Sequence, residues 1–176
     1  MIEIKVVEKM LETLLKNAIS RHFSETRIFI SSLSENSDIE VIFQSDVIKP
    51  DQILFENPVK DGRVFGEIIF HLIRSMEFYI TGIATGEWKP LPYSLIEYST
   101  VVEILNLYDV ITNRLIKLLE KISPEILEEQ VSSFNRNATK GEILLEMLEH
   151  SIHHRGQLTV YMRLLGKDPP KIPYIV

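Results

Sequence analysis

The segment from Thr139 to Gly166 constrains the fold most, because it combines a helical apolar period with three histidines in five residues. Apolar side chains recur along it at intervals of three and four, which predicts an α-helix with one buried face. It opens with Thr139-x-x-Glu142, the form of a capping box, and it ends at Gly166 ahead of Pro169, as a helix with a terminal glycine should. The predicted buried face comprises Ile143, Met147, His150, His154, Leu158, Tyr161 and Leu165.

The two histidines on that face lie four residues apart, so His150 and His154 stand one turn above the other. Both imidazoles are predicted to point into the core, whereas His153 and Arg155 point toward its flanks and make inter-helix hydrogen bonds or salt bridges. One interpretation is that His150 and His154 are ordinary core histidines, each hydrogen-bonded to a neighbouring helix. The other is that they chelate one metal ion, because burying two uncompensated polar rings costs on the order of 1 to 3 kcal/mol each.

A catalytic zinc-type site takes three protein ligands and a water, so a third donor is expected from another segment. The chain has no cysteine, which excludes thiolate ligands, disulfides and Fe–S clusters and leaves His, Asp and Glu as donors. A second helix is predicted to start near Asp61 to Val64 and to run to about Ile83, with His71 mid-way along it on an apolar face. His71 therefore completes a His₃ set with His150 and His154, while His22 is interpreted as a surface or packing residue.

The remaining chain supplies two further helices. The first is predicted from about Val6 to Phe23, with a continuation through Arg27 to Leu33, and its apolar residues at helical spacing predict one buried face. Another is predicted from about Ser99 to Ile122, followed by a short helical turn within Pro124 to Gln130. The buried face of the first helix is predicted to contain Val7, Met10, Leu11, Leu14, Leu15, Ala18 and Ile19.

The stretch from Ser34 to Gly62 is a long connection, because Pro50 and Pro58 rule out a long helix there. It contains one β-like piece, Ile39 to Phe43. A connection of that length in a compact domain is usually functional, so we expect part of it to cover the mouth of the site. The apolar tail from Ile172 to Val176 is expected to pack back on the bundle or on a second subunit.

Length and charge restrict the functional classes. The 176 residues fit a single domain covering 1–176, and the net charge of −6 argues against a nucleic-acid-binding surface. No uncharged run approaches 18 residues, and the start of the chain lacks the apolar core of a signal peptide. We expect a cytoplasmic protein without a membrane anchor.

Four helices, a histidine mid-way along the second, and the run from His150 to Gln157 on the last resemble the DinB-like family, also called DinB/YfiT-like metalloenzymes. The run from Gly66 to His71 and the continuation from Tyr161 to Gly166 match the family pattern as well. The resemblance spans about Leu11 to Gly166. The stretch from Ser31 to Val59 departs from it, being longer and more β-like.

This resemblance implies an all-α four-helix bundle of up-down-down-up order, often a homodimer, with a long connection between its first two helices. It also implies a divalent ion, zinc or nickel, on His71, His150 and His154. Family members with known activity include thiol-dependent S-transferases and isomerases that use low-molecular-weight thiols such as bacillithiol or mycothiol.

Together these expectations predict a metal-dependent group-transfer enzyme. Its small-molecule substrate would be a thiol or would react with one. Three protein ligands leave an open position, and zinc lowers the pKa of water bound there toward about 7. Gln157 and Tyr161 are candidates to orient a substrate, although Tyr161 is also explained by simple core packing. Glu67 is interpreted either as an acceptor for an imidazole N–H or as an exposed first-turn glutamate that interacts with the helix dipole. The alternatives are a metal-stabilised dimeric binding module without catalysis, or a metal-dependent hydrolase.

Overall fold

The computed structural model describes residues 2–35, 50–131 and 137–172, and these residues are predominantly helical. The described part contains α1 (Ile2–Glu35), α2 (Phe65–Thr85), α3 (Val101–Lys121), the short α4 (Pro124–Glu128) and α5 (Lys140–Leu164). A 3-10 helix (Pro50–Phe55) precedes α2, and two short strands, β1 (Gln130–Val131) and β2 (Ala138–Thr139), pair antiparallel ahead of α5. The four long helices pack as a bundle, which confirms the predicted fold class.

Contacts between the helices fix their directions. Gly62, just before α2, lies against Tyr161 near the end of α5, so α2 and α5 are antiparallel. Glu77 of α2 pairs with Arg114 of α3, while Phe70, earlier in α2, contacts Tyr98 just before α3, so these two helices are parallel. In α1 and α5, the groove beside Leu148 lies nearer the start of both helices and the contacts of Arg155 lie farther along both, so these two helices are parallel. The order of the four long helices is therefore up-down-down-up.

The helix ends follow their local sequence. Thr139 caps α5 in a complete capping box with Glu142, as predicted, and Thr100 does the same for α3 with Glu103. Gly166 adopts a φ of 71°, and the N–H of Lys167 reaches back to the carbonyl of Met162 at 2.8 Å. This backbone arrangement ends α5 and favours glycine, because a side chain at positive φ is strained.

The core lies between all four long helices and extends under the chain that precedes α2. Ile53 and Leu54 of the 3-10 helix are fully buried, so this end of the long connection belongs to the core. Tyr108 of α3 is also buried, and its hydroxyl donates a hydrogen bond of 2.9 Å to the carbonyl of Phe23. This bond ties α3 to the middle of α1.

The first half of α1 departs from the prediction. Met10, Leu11 and Leu14 were expected on its buried face, but they are 61%, 63% and 64% exposed, and Val7 is exposed as well. The reason is length: α1 has 34 residues and α3 has 21, so at 1.5 Å per residue α1 outruns its antiparallel neighbour by about 20 Å. The predicted continuation of this helix to Leu33 is confirmed.

Some predictions fall on other parts of the chain. The β-like piece Ile39–Phe43 and the last four residues of the tail lie outside the described residues. Within the described ranges, no helix is both long enough and apolar enough to cross a membrane.

Candidate metal centre

The bundle brings the three predicted histidines together. His71 comes from the middle of α2, and His150 and His154 come from successive turns of α5. The Nε2 atoms of His71 and His150 are 3.0 Å apart, and one ring nitrogen from each of the three residues lies within 4.8 Å of the others. The rings are half-buried, not enclosed in the core as the helical wheel predicted, so the cluster is open to a ligand.

Gln157 fixes the orientation of one of these rings. Its Oε1 lies 2.9 Å from Nδ1 of His154. Because an amide oxygen only accepts, Nδ1 carries the proton and Nε2 keeps its lone pair for the cluster. Such outer contacts hold a ligating imidazole in the correct tautomer. Gln157 thus contacts a histidine of the cluster, while its predicted role in orienting a substrate stays a prediction.

The environment keeps the three imidazoles neutral. Burial, together with the nearby His154 and Arg63, lowers the pKa of His71 to about 4. Burial also holds the pKa of His150 and of His154 below the ordinary value. At neutral pH all three rings can therefore offer a lone pair to a metal ion without first losing a proton.

The donor set fits a divalent ion of the zinc type. Zn–N bonds of about 2.0–2.1 Å in a tetrahedral site place ligand nitrogens about 3.3 Å apart. The separation of 3.0 Å between His71 and His150, with all three donors inside 4.8 Å, approaches that spacing after small ring rotations. Imidazole donors suit zinc and nickel equally, so the residues do not select one metal.

Glu67 is the first-turn glutamate that one of the two interpretations expected, and among the described residues no hydrogen bond joins it to an imidazole. It lies in the first turn of α2, as the dipole argument expects. Its carboxylate, however, accepts from Arg74 Nη2 at 3.2 Å and from the backbone N–H of Leu95 at 3.4 Å. Glu67 therefore fastens the chain before α3 to α2.

Behind the histidines lies a buried polar cluster that the sequence did not reveal. Arg155 was predicted on a flank, yet it is only 5% exposed. Its Nη1 lies 2.6 Å from Glu25 Oε2 and 2.9 Å from Nδ1 of His22, both on α1. The helical wheel placed Arg155 off the apolar stripe correctly, but α1 covers that side of α5. The inter-helix salt bridge predicted for Arg155 is thus present, in a buried position.

The other two residues named beside the triad differ in exposure. His153 is exposed, and its ring lies 5.2 Å from that of His154 on the same helix. Among residues 2–35, 50–131 and 137–172 it makes no hydrogen bond or salt bridge to another helix, in contrast to the prediction. Tyr161 is 4% exposed, which fits the core-packing interpretation. Its hydroxyl nevertheless reaches Gly62, where a Cβ would lie 2.7 Å from the oxygen.

His22 should make stability depend on pH. Arginine only donates, so Nδ1 of His22 accepts from Arg155 and the ring is neutral. Burial, followed by the charge of Arg155, lowers the pKa of His22 to about 3 from an ordinary 6.5. Below pH 6.5 the unfolded chain takes up a proton that the folded chain refuses, so this residue should cost up to about 1.4 kcal/mol of stability per pH unit as the pH falls.

The measurement is urea unfolding between pH 7 and pH 4, with His22→Gln as the comparison because glutamine keeps an acceptor and does not titrate. The variant should lose stability less steeply on acidification than the wild type. Equal slopes would contradict a neutral buried His22.

A four-helix bundle in which the second and the last long helices contribute a three-histidine cluster defines a class of protein, and comparison with known proteins places the chain within it. Residues 50–175 match the DinB family. The chain belongs to the DinB family.

Two relatives come from Bacillus subtilis (strain 168). YjoA is 26% identical over 153 residues, which cover 85% of this chain and 90% of YjoA. YizA is 29% identical over 110 residues, covering 61% of this chain and 68% of YizA.

Solved structures share the fold. The crystal structure of YjoA, described as a DinB-like protein, matches with a TM-score of 0.62 and 22% identity, covering 90% of this chain and 96% of that one. A DinB-like protein from Bacillus cereus matches with a TM-score of 0.68 and 18% identity, covering 90% and 95%.

Proposed function

We propose that the protein is a divalent-metal-dependent enzyme of the group-transfer type, acting with a low-molecular-weight thiol. The observation that carries this proposal is the convergence of three neutral imidazoles within 4.8 Å, with no carboxylate in that cluster among the described residues. Three ligands would leave a position open for a substrate atom. Zinc or nickel is the proposed ion, held by His71, His150 and His154.

The chemistry such an ion supplies is Lewis acidity, which lowers the pKa of a bound water or thiol so that the anion exists at neutral pH. The residues of the chain supply orientation. Gln157 holds the His154 ring through Nδ1, and the half-buried cluster exposes its open side to incoming molecules. The neutral ligand set would leave the full charge of the ion available to stabilise a thiolate.

The test uses cobalt(II) as a spectroscopic substitute, with bacillithiol, mycothiol and cysteine as probes. Thiolate binding to the ion should add a charge-transfer band in the wild type and not in His71→Ala. The same protein loaded with zinc or nickel is then assayed for transfer of the thiol to an alkylating electrophile. A metal-loaded protein that binds none of these thiols but hydrolyses esters or amides would replace the proposal with the hydrolase alternative. Stoichiometric metal without binding or turnover would favour the structural module.

For the partner, we infer a second copy of this chain, packed against the first half of α1. Ile4, Val7, Leu11 and Leu14 are spaced alternately by three and four residues, the seam of a two-stranded coiled coil. They are between 54% and 64% exposed. Beside them lies an apolar groove between α1, α4 and α5, lined by Leu11, Leu15, Leu127, Leu145 and Leu148 among others.

The residues beside the seam show which surface of α1 would be covered. Glu8 flanks the seam on the side of the groove, and Met10, which is 61% exposed, flanks it on the other side. Lys9 lies on the opposite side of α1 and pairs with Glu12 at 2.8 Å. Burial of the apolar seam against the same surface of a second α1 therefore carries the inference.

Leu14→Glu should therefore convert a dimer into a monomer, because it places a charge within the apolar seam, where Leu14 is 64% exposed in the single chain. The measurement is light scattering after size exclusion, with the wild type expected at twice the chain mass of 20.4 kDa. Val110→Glu is the matched control, since Val110 is 70% exposed on α3 away from this stripe, and it should remain dimeric. A wild type at the mass of one chain at every concentration would overturn the inference.

A further inference from the structure

Gln157 is the one residue outside the triad whose side chain is hydrogen-bonded to it within residues 2–35, 50–131 and 137–172. It lies about one turn after His154 on α5 and, like the three rings, is half-buried. The other contact between ring nitrogens joins two members of the triad, His71 and His150. Among these residues, the hydrogen bond of 2.9 Å between Gln157 and His154 is therefore the one that ties the donor set to the surrounding protein.

The partner of His154 is an amide, where metal sites commonly have a carboxylate. An imidazole that binds a metal often donates its other N–H to a carboxylate, which fixes the tautomer and makes the ring a stronger donor. An amide oxygen accepts the same hydrogen bond but carries no charge. Gln157 therefore gives His154 the tautomer that leaves Nε2 for a metal, without adding a negative charge behind the ring.

The rest of the cluster also lacks negative charge. All its members are histidines, and in the described part of the chain no carboxylate joins them. With a neutral outer contact as well, the cluster would leave both positive charges of a bound divalent ion uncompensated. Opposite charges attract more strongly in a half-buried site than in bulk water, so the remaining ligand position would favour an anion over a neutral molecule.

We propose that Gln157 is a positioning residue with two effects. It holds His154 in the metal-binding tautomer, and it keeps the site positive, so that anions bind at the open position. A glutamate at this position would strengthen metal binding and weaken anion binding, whereas an apolar residue would weaken metal binding. The second effect rests on the proposed function, in which a thiolate is the anion.

The tautomer is tested in the metal-free protein at pH 7.5. Two-bond ¹H–¹⁵N correlation spectra distinguish the protonated from the bare ring nitrogen, and His154 is assigned by its absence from His154→Ala. The wild type should carry the proton on Nδ1, and Gln157→Leu should show a mixture of both tautomers. A proton on Nε2 in the wild type, or the same tautomer in both proteins, would overturn the first effect.

Zinc affinity is then measured by competition with a chromophoric chelator. Gln157→Leu should bind zinc about tenfold more weakly than the wild type, since loss of an outer contact typically costs 10–100-fold. Gln157→Glu should bind zinc about tenfold more tightly, because a carboxylate makes the ring a stronger donor. A side chain that only supported the fold would weaken binding in both variants. Zinc affinity unchanged in Gln157→Leu, or lowered in Gln157→Glu, would contradict the proposal.

Anion binding is measured with azide, which does not depend on thiol chemistry, through the charge-transfer band of the cobalt-loaded protein. Gln157→Glu should bind azide about tenfold more weakly than the wild type, because its carboxylate offsets part of the positive charge. Gln130→Glu is the matched control, since it makes the same change at an exposed residue of β1, and it should bind azide as the wild type does. Equal azide affinity in the wild type and Gln157→Glu would overturn the second effect.

Cysteine replaces azide in the last titration, which joins the residue to the proposed function. Its thiolate should follow the same order, with the wild type and Gln130→Glu binding about tenfold more tightly than Gln157→Glu. Azide binding in the expected order, without cysteine binding to any of the proteins, would sink the thiol function and leave the role of Gln157 standing.

Discussion

His71→Ala is expected to lower the affinity for zinc by a hundredfold or more. Structural zinc sites with four ligands bind with about 10–16 kcal/mol, so one ligand accounts for about 3 kcal/mol. His71 is the histidine that α2 contributes to the cluster, and without it the two histidines of α5 would form an incomplete chelate. The fold should persist, since the ring is half-buried and fills no closed core position.

Affinity is measured by competition with a chromophoric chelator at neutral pH. His153→Ala is the matched control, because His153 is an exposed imidazole on the same turn of α5 and is not part of the cluster. It should bind zinc as the wild type does. Equal losses in the two variants would mean that the ion binds to surface histidines and not to the triad.

Arg155→Met is expected to destabilise the folded protein by about 3–5 kcal/mol, because removing one partner of a buried ion pair leaves an uncompensated charge. Glu25 would keep only the longer contact to Arg21, at 3.7 Å, and His22 would lose the donor on its Nδ1. Methionine keeps most of the side-chain volume of arginine, so the loss of stability comes from the charge more than from packing.

The free energy of unfolding in urea measures this effect. Arg27→Met provides the comparison, since Arg27 pairs with Asp109 between α1 and α3, but on an exposed surface, where such pairs contribute about 0–1 kcal/mol. Adding Glu25→Gln to Arg155→Met should recover part of the loss, because it removes the unpaired charge. An Arg155→Met variant as stable as Arg27→Met would contradict the buried cluster.

The sequence predicted the elements in which local and tertiary preferences agree. Thr139 and Gly166 bounded α5 correctly because capping groups are satisfied within a few residues of the chain. The triad was predicted because His150 and His154 share a helical face and only a few histidines remained to join them. The meeting of His71 with that face depends on how α2 and α5 cross, which the family resemblance supplied and periodicity did not.

The features that the sequence did not predict depend on which helix covers which surface. Arg155 lies off the apolar stripe, so its burial follows from the position of α1 and not from α5. The first turns of α1 have the pattern of a buried face, yet they extend past the bundle, since periodicity does not say what a face packs against.

The central claim, a metal ion on His71, His150 and His154, is tested most directly by elemental analysis of the untagged protein. The wild type and His153→Ala should each contain about one divalent ion per chain, and His150→Ala/His154→Ala should contain none. A wild type that carries no ion, even after reconstitution with zinc or nickel, would contradict the claim and leave the three histidines as neighbours joined by hydrogen bonds.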